Sequence, residues 1–117
     1  MKITIKFITL VSVIALLTSC VKDESTVEGT INYTGAVFGT SYEAEGAYVS
    51  LFDEGLEKIT YETTANDEGY YSFENVIDGK YHVYAEISVN GLLYLDNSES
   101  FWVEGDEIHT ENMQLEY

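Results

Sequence analysis

The stretch from Thr63 to Ile87, TTANDEGYYSFENVIDGKYHVYAEI, constrains the fold of this chain more than any other. Tyr71 and Phe73 alternate with polar neighbours. Tyr81, Val83, Ala85, Ile87 and Val89 then alternate over a longer run, with His82, Tyr84, Glu86 and Ser88 on the opposite side. A period of two puts one set of side chains on a core and the other in solvent, which predicts half-buried β-strands. Two turn sequences interrupt the pattern, Asn66-Asp67-Glu68-Gly69 and Ile77-Asp78-Gly79-Lys80. Gly69 and Gly79 are each expected at positive φ, the region a Cβ opposes.

The same alternation extends along the chain. Val27 to Tyr33 reads as a first strand. Ala47, Val49 and Leu51 define a second, with Tyr48, Ser50 and Phe52 facing away, and Ile59 to Thr64, rich in β-branched residues, defines a third. Thr34 to Gly46 is irregular and broken by Gly35, Gly39 and Gly46, with Ala36-Val37-Phe38 expected as an extended piece inside it. Asn90-Gly91 predicts a type I′ hairpin, in which both residues need positive φ, and Leu92 to Leu95 returns from it. Ser100 to Val103 and Ile108 to Leu115 end the pattern, separated by Glu104-Gly105-Asp106-Glu107. Short strands with turn signals between them predict an all-β fold, a single small antiparallel β-sandwich over residues 27–117.

The string Asp67-Glu68-Gly69-Tyr70-Tyr71-Ser72-Phe73-Glu74-Asn75-Val76, followed by Asp78-Gly79-Lys80-Tyr81, resembles the signature of carboxypeptidase regulatory-like domains. These are also called transthyretin-like or prealbumin-like, and collagen-adhesin B-type repeats are related to them. Gly29-Thr30-Ile31, Ala47 to Leu51 and Asn112 to Leu115 extend the resemblance over most of the domain. One departure stands out: Asp78 occupies the place before the second glycine where proline is usual, and the chain has no proline. The resemblance implies about seven strands in a Greek-key arrangement, with Tyr71, Phe73 and Tyr81 buried. Related adhesin repeats cross-link a first-strand lysine to a last-strand asparagine. Val27 to Tyr33 holds no lysine, so no such bond is expected.

Residues 1–19 read as an export leader. Lys2 and Lys6 precede an apolar run, Phe7 to Leu17, that is too short to span a bilayer as a helix. Leu17-Thr18-Ser19-Cys20 resembles the lipobox of bacterial lipoproteins, which implies cleavage before Cys20, a diacylglycerol on its thiol and an acyl chain such as palmitate on the new amino terminus. An ordinary secretory leader is the alternative. Several acyl chains hold a protein firmly on a membrane. Cys20 is the single cysteine, so no disulfide is available and the core must supply stability. Residues 20–26 are then the lipidated cysteine and a tether. Within it Lys22-Asp23-Glu24 reads either as an export signal for surface lipoproteins or as a plain charged linker. The expected location is the outer membrane, lipid-anchored at the cell surface, with the periplasmic face as the alternative.

The whole chain carries a formal charge of −16, and without Lys2 and Lys6 three lysines oppose 21 acids, giving −18 with no arginine. Such a chain repels phosphates, so nucleic acid is not an expected partner. A solvated acidic surface and divalent-cation binding are the two readings of the acids. Asn66-Asp67-Glu68 offers oxygens to calcium, but no full loop of ligands follows. His82 and His109 lie at outward strand positions without partners at metal-ligand spacing, so no metal or cofactor is expected. A G-x-S-x-G motif is lacking and no free thiol remains, so the expected role is not enzymatic; a small hydrolase or enzyme subunit is the competing class. Ten tyrosines, five phenylalanines and one tryptophan are more than a core of this size needs. Tyr48, Phe52, Tyr70, Tyr84 and Trp102 fall on outward faces and are candidate contacts for a glycan or an envelope protein, or simply solvent-facing strand residues.

Overall fold

The computed structural model describes residues 24–117. The leader, Cys20, Lys22 and Asp23 lie outside the described residues, and Glu24 is exposed. Ten strands follow in order: β1 (Ser25–Thr34), β2 (Ser41–Glu43), β3 (Tyr48–Asp53), β4 (Lys58–Thr64), β5 (Tyr70–Val76), β6 (Gly79–Val89), β7 (Leu92–Asn97), β8 (Phe101–Val103), β9 (Ile108–Thr110) and β10 (Met113–Leu115).

These ten segments fill seven lanes of two facing sheets. In the first sheet β1 is central, with β5 and then β2 antiparallel along one side. On its other side Thr26 pairs with Ile108 and Ile31 with Met113 at the same offset, so β9 and β10 are one lane interrupted at Glu111-Asn112. In the second sheet the order is β4, β3, β6, and β8 and β7 share the far side of β6. A bridge between Leu95 and Glu116 links the two sheets along one edge. The seven strands implied by the resemblance are thus seven lanes, three of them broken in two. The sheets are antiparallel as expected except along one lane, where β9 and β10 run parallel to β1. The chain enters its first and last lanes from the same end of the molecule.

Alternation builds the core. Val27 and Ile31 of β1, Val49 and Leu51 of β3, Tyr71 and Phe73 of β5, Tyr81, Val83 and Ala85 of β6, and Met113 and Leu115 of β10 are buried between the sheets. Tyr71, Phe73 and Tyr81 therefore sit where the resemblance put them. Each buried side chain of this size stabilises by roughly 1.5–3 kcal/mol relative to exposure.

The two turn glycines differ. Gly69 has φ +76°, and a Cβ there would stand 2.4 Å from the Ile31 carbonyl oxygen. Asn66 organises that turn: its Oδ1 accepts the Glu68 and Tyr70 amides at 2.9 and 3.0 Å. Gly79, expected at positive φ, is not among the residues with that conformation. It is small for another reason. The Tyr81 ring folds back over it, 3.3 Å from where a Cβ would lie, and the Tyr81 hydroxyl donates to the Ile77 carbonyl at 2.6 Å. Tyrosine corners of other sandwiches close on their own backbone in the same way. Asp78, standing in place of the usual proline, accepts the Gly105 amide at 2.9 Å and ties this turn to the β8–β9 loop.

Ala36-Val37-Phe38 is a turn and not extended. The Gly35 amide donates to the Thr40 carbonyl at 2.8 Å and Gly39 to Gly35 at 2.9 Å, and Gly39 has φ +67°. These bonds close the loop, and the short β2 strand follows it. Asn90 (φ 52°) and Gly91 (φ 80°) form the hairpin their sequence predicts.

Candidate functional site

Four of the five outward aromatics share the outer face of the second sheet. Tyr48 and Tyr84 meet edge-on at 6.4 Å, and Phe52 stacks on His82 at 5.0 Å. Tyr84 lies opposite Ser50 in register, and the Ser50 hydroxyl is covered and unpartnered among the described residues. Trp102 pairs in register with Lys80, whose ammonium lies 5.9 Å from the indole centroid. Tyr70 is not part of this strip. It belongs to the first sheet and donates its hydroxyl to Glu28, which raises its pKa. The Tyr48 hydroxyl donates to Glu62 at 2.7 Å with the same effect. Glu54 bridges the strip to β8: it accepts from Ser100 and lies 3.2 Å from His82 Nδ1, and these bonds hold its carboxyl below the usual range, that from Ser100 most strongly.

A second aromatic site lies at the end of the sandwich, between the Gly35–Thr40 loop and the Asn90-Gly91 hairpin. It is an open cleft of about 350 Å³, within the range of small-molecule sites. Tyr33 of β1, Tyr42 of β2 and Tyr94 of β7 form a contiguous cluster. Tyr33 lies 5.4 Å from Tyr42, stacked, and 5.0 Å from Tyr94, tilted. The Tyr94 ring is buried as the floor and its hydroxyl accepts the Ala36 amide at 3.2 Å, which fixes the loop. Gly35 lets Tyr42 approach: a Cβ there would be 3.0 Å from the Tyr42 ring. Val37 and Phe38 project at the rim, 81% and 88% exposed. None of the lining residues is charged.

The sequence reading did not single out Tyr33, Tyr42 or Tyr94. Tyr33 and Tyr42 flank the Gly35–Thr40 loop, Tyr94 lies more than fifty residues further on, and only the topology brings the three together. The one local signal was the apolar Ala36-Val37-Phe38 inside a glycine-rich loop, which a buried segment would not place there.

Neither histidine joins a metal-like cluster. His109 stacks on Phe101 at 3.8 Å and lies 2.9 Å from Glu111, and His82 has Glu54 and Phe52. No group of three or more His, Cys, Asp or Glu residues suited to a metal ion occurs among the described residues. The Asn66 oxygen considered for calcium already accepts two backbone amides. Among the described residues no helix is long and apolar enough to cross a membrane.

This architecture defines a transthyretin-like β-sandwich module. The chain belongs to the family described as the second β-sandwich domain of BOS complex subunit NOMO1-like proteins, which it matches over residues 26–115. No curated protein matches it. Among solved structures it is similar to a candidate carbohydrate-binding protein of Pseudomonas aeruginosa, at 12% identity and a TM-score of 0.59, over 79% of this chain and 88% of the other. It is also similar to the TIE protein of Bacillus anthracis, at 24% identity and a TM-score of 0.58, over 80% of this chain; the chain spans 17% of that structure. At these identities the likeness is one of fold.

Proposed function

We propose that the protein is a non-catalytic, lipid-anchored module of a bacterial envelope that binds glycan at the cell surface. The uncharged, tyrosine-walled cleft in a strongly acidic molecule carries this reading. Aromatic faces stack on the C–H faces of sugar rings, and phenolic edges bond to their hydroxyls. The similar Pseudomonas structure, a candidate carbohydrate-binding protein, supports it. The anchor rests on Leu17-Thr18-Ser19-Cys20, and surface display on Lys22-Asp23-Glu24. Catalysis would need an acid, base or nucleophile set in a cleft, and this cleft is lined by no carboxylate, histidine or cysteine. The test is a glycan array probed with the labelled full chain. Retention on one class of glycan is expected; a blank array against a positive lectin control would end the reading. A purely structural role in a larger assembly is the alternative, favoured by the TIE structure, where a sandwich of this kind is a small part of a long chain.

A further inference from the structure

We infer that the cleft between the Gly35–Thr40 loop and the Asn90-Gly91 hairpin is the saccharide site, that it selects neutral sugars, and that Tyr42 is its stacking platform; this rests on the glycan reading above.

Three observations separate the cleft from the aromatic strip. The first is charge. The protein carries 21 acids, yet Tyr33, Gly35, Phe38, Tyr42, Asn90 and the other lining residues include none, nor any lysine. A neutral ligand meets neither repulsion nor an unpaired buried charge there, whereas an anionic sugar approaches against the field of the whole molecule. The strip, by contrast, is interleaved with Glu54, Glu62, Glu86 and Lys80. The second is the state of the rings. Tyr48 is tied to Glu62 and Phe52 to His82, and Trp102, although 62% exposed, has the Lys80 ammonium 5.9 Å from its ring. In the cleft Tyr33 backs one face of Tyr42, and Tyr42 is still 47% exposed. The third is shape. Tyr94 gives a floor, and the loop held by its bond to Ala36 raises Phe38 as a second wall. A cleft lined by aromatic residues on more than one side offers a sugar ring more contact than an open sheet face does.

An apolar peptide or lipid is the competing occupant. Val37, Val89 and Leu92 give the cleft apolar surface, but three tyrosines, Thr40 and Asn90 line it as well and supply hydrogen-bonding groups that such an occupant would leave unused. Hydrogen-bonding edges around aromatic faces suit a polyol.

The experiment is calorimetric titration of the full chain, purified in a non-glycosidic detergent, with the hexasaccharides of maltose, cellulose, laminarin, xylan and mannan, and with hexagalacturonate as the anionic probe. At least one neutral hexasaccharide is expected to bind and hexagalacturonate is not. Tyr42→Ala and, independently, Phe38→Ala at its fully projecting position are expected to weaken binding by about tenfold or more, as for loss of an aromatic contact. Tyr84→Ala is expected to change it less than about twofold. Loss on Tyr84→Ala with no effect of Tyr42→Ala or Phe38→Ala would move the site to the strip and overturn this inference while leaving the glycan reading intact. Equal binding of hexagalacturonate would overturn the neutral selectivity. Displacement of Nile red by none of the sugars, with the dye itself bound at Tyr42, would mark an apolar occupant and overturn both.

Discussion

At the scale of single residues, two glycines that look alike in sequence answer different needs. Gly69 is required by its backbone and by contact, since a Cβ would have to share space with the Ile31 carbonyl. Gly79 is required only by the Tyr81 ring, at ordinary contact distance or slightly closer. Gly69→Ala is therefore expected to destabilise by about 3 kcal/mol and Gly79→Ala by about 1 kcal/mol or less. Urea melts of both variants check the ranking, and equal midpoints would contradict the distinction drawn between the turns. The sequence made the two turns legible but not this difference, because it depends on where a distant carbonyl and a folded-back ring come to lie. Tyrosine ionisation is a second consequence at this scale. Burial is the main cause that raises the Tyr81 pKa to about 12 from its ordinary 10.0, and it raises that of Tyr71 further. The unfolded chain ionises near the ordinary value, so the stability held by these neutral phenols is complete below pH 10 and is lost as pH climbs through 12. Melting temperature should fall across that window, and Tyr81→Phe should flatten the fall.

Among the elements, the break between β9 and β10 is the least ordinary. The Tyr71 hydroxyl donates to the Glu111 carbonyl at 2.6 Å, drawing the backbone over Gly29, where a Cβ would stand 2.0 Å from the same oxygen. Asn112 completes the knot by accepting the Thr30 amide at 2.9 Å. Tyr71→Phe leaves a half-buried carbonyl short of a donor and is expected to cost about 1–2 kcal/mol. Gly29→Ala should cost more, because the strand itself must move. Denaturation midpoints in that order support the knot; a Gly29→Ala protein as stable as the parent would mean the two segments of the lane separate freely. Strand existence was well marked by the alternation in β1, β3, β5 and β6. The elements missed were those held by pairing and not by pattern. The three-residue β2 has no buried residue to announce it, and Ile108 to Leu115 reads as one strand because the interruption comes from Tyr71, forty residues away.

For the whole molecule, the sandwich and its approximate lane number could be read from turn spacing and the family-like string, since both are local. The cleft could not, as its walls come from β1, β2 and β7. Anchoring supplies the prediction at this scale. Cys20→Ala is expected to abolish incorporation of labelled palmitate and to release or mislocalise the protein, and equal labelling of both forms would rule out the lipid at Cys20. Protease added to intact cells should remove the wild-type domain, while the variant with Lys22, Asp23 and Glu24 all changed to Ala should be protected. β1 begins at Ser25 and ends at the loop that walls the cleft, ten residues and roughly 30 Å away. An anchor at Cys20, as proposed, and a ligand in the cleft would thus act on opposite ends of one central strand. A pull between them runs along β1, and its hydrogen bonds to β5 on one side and to β9 and β10 on the other lie across the direction of force. Loaded in this way they would yield together in shear and not be peeled one at a time, so a tether at Cys20 would make the module a mechanical clamp.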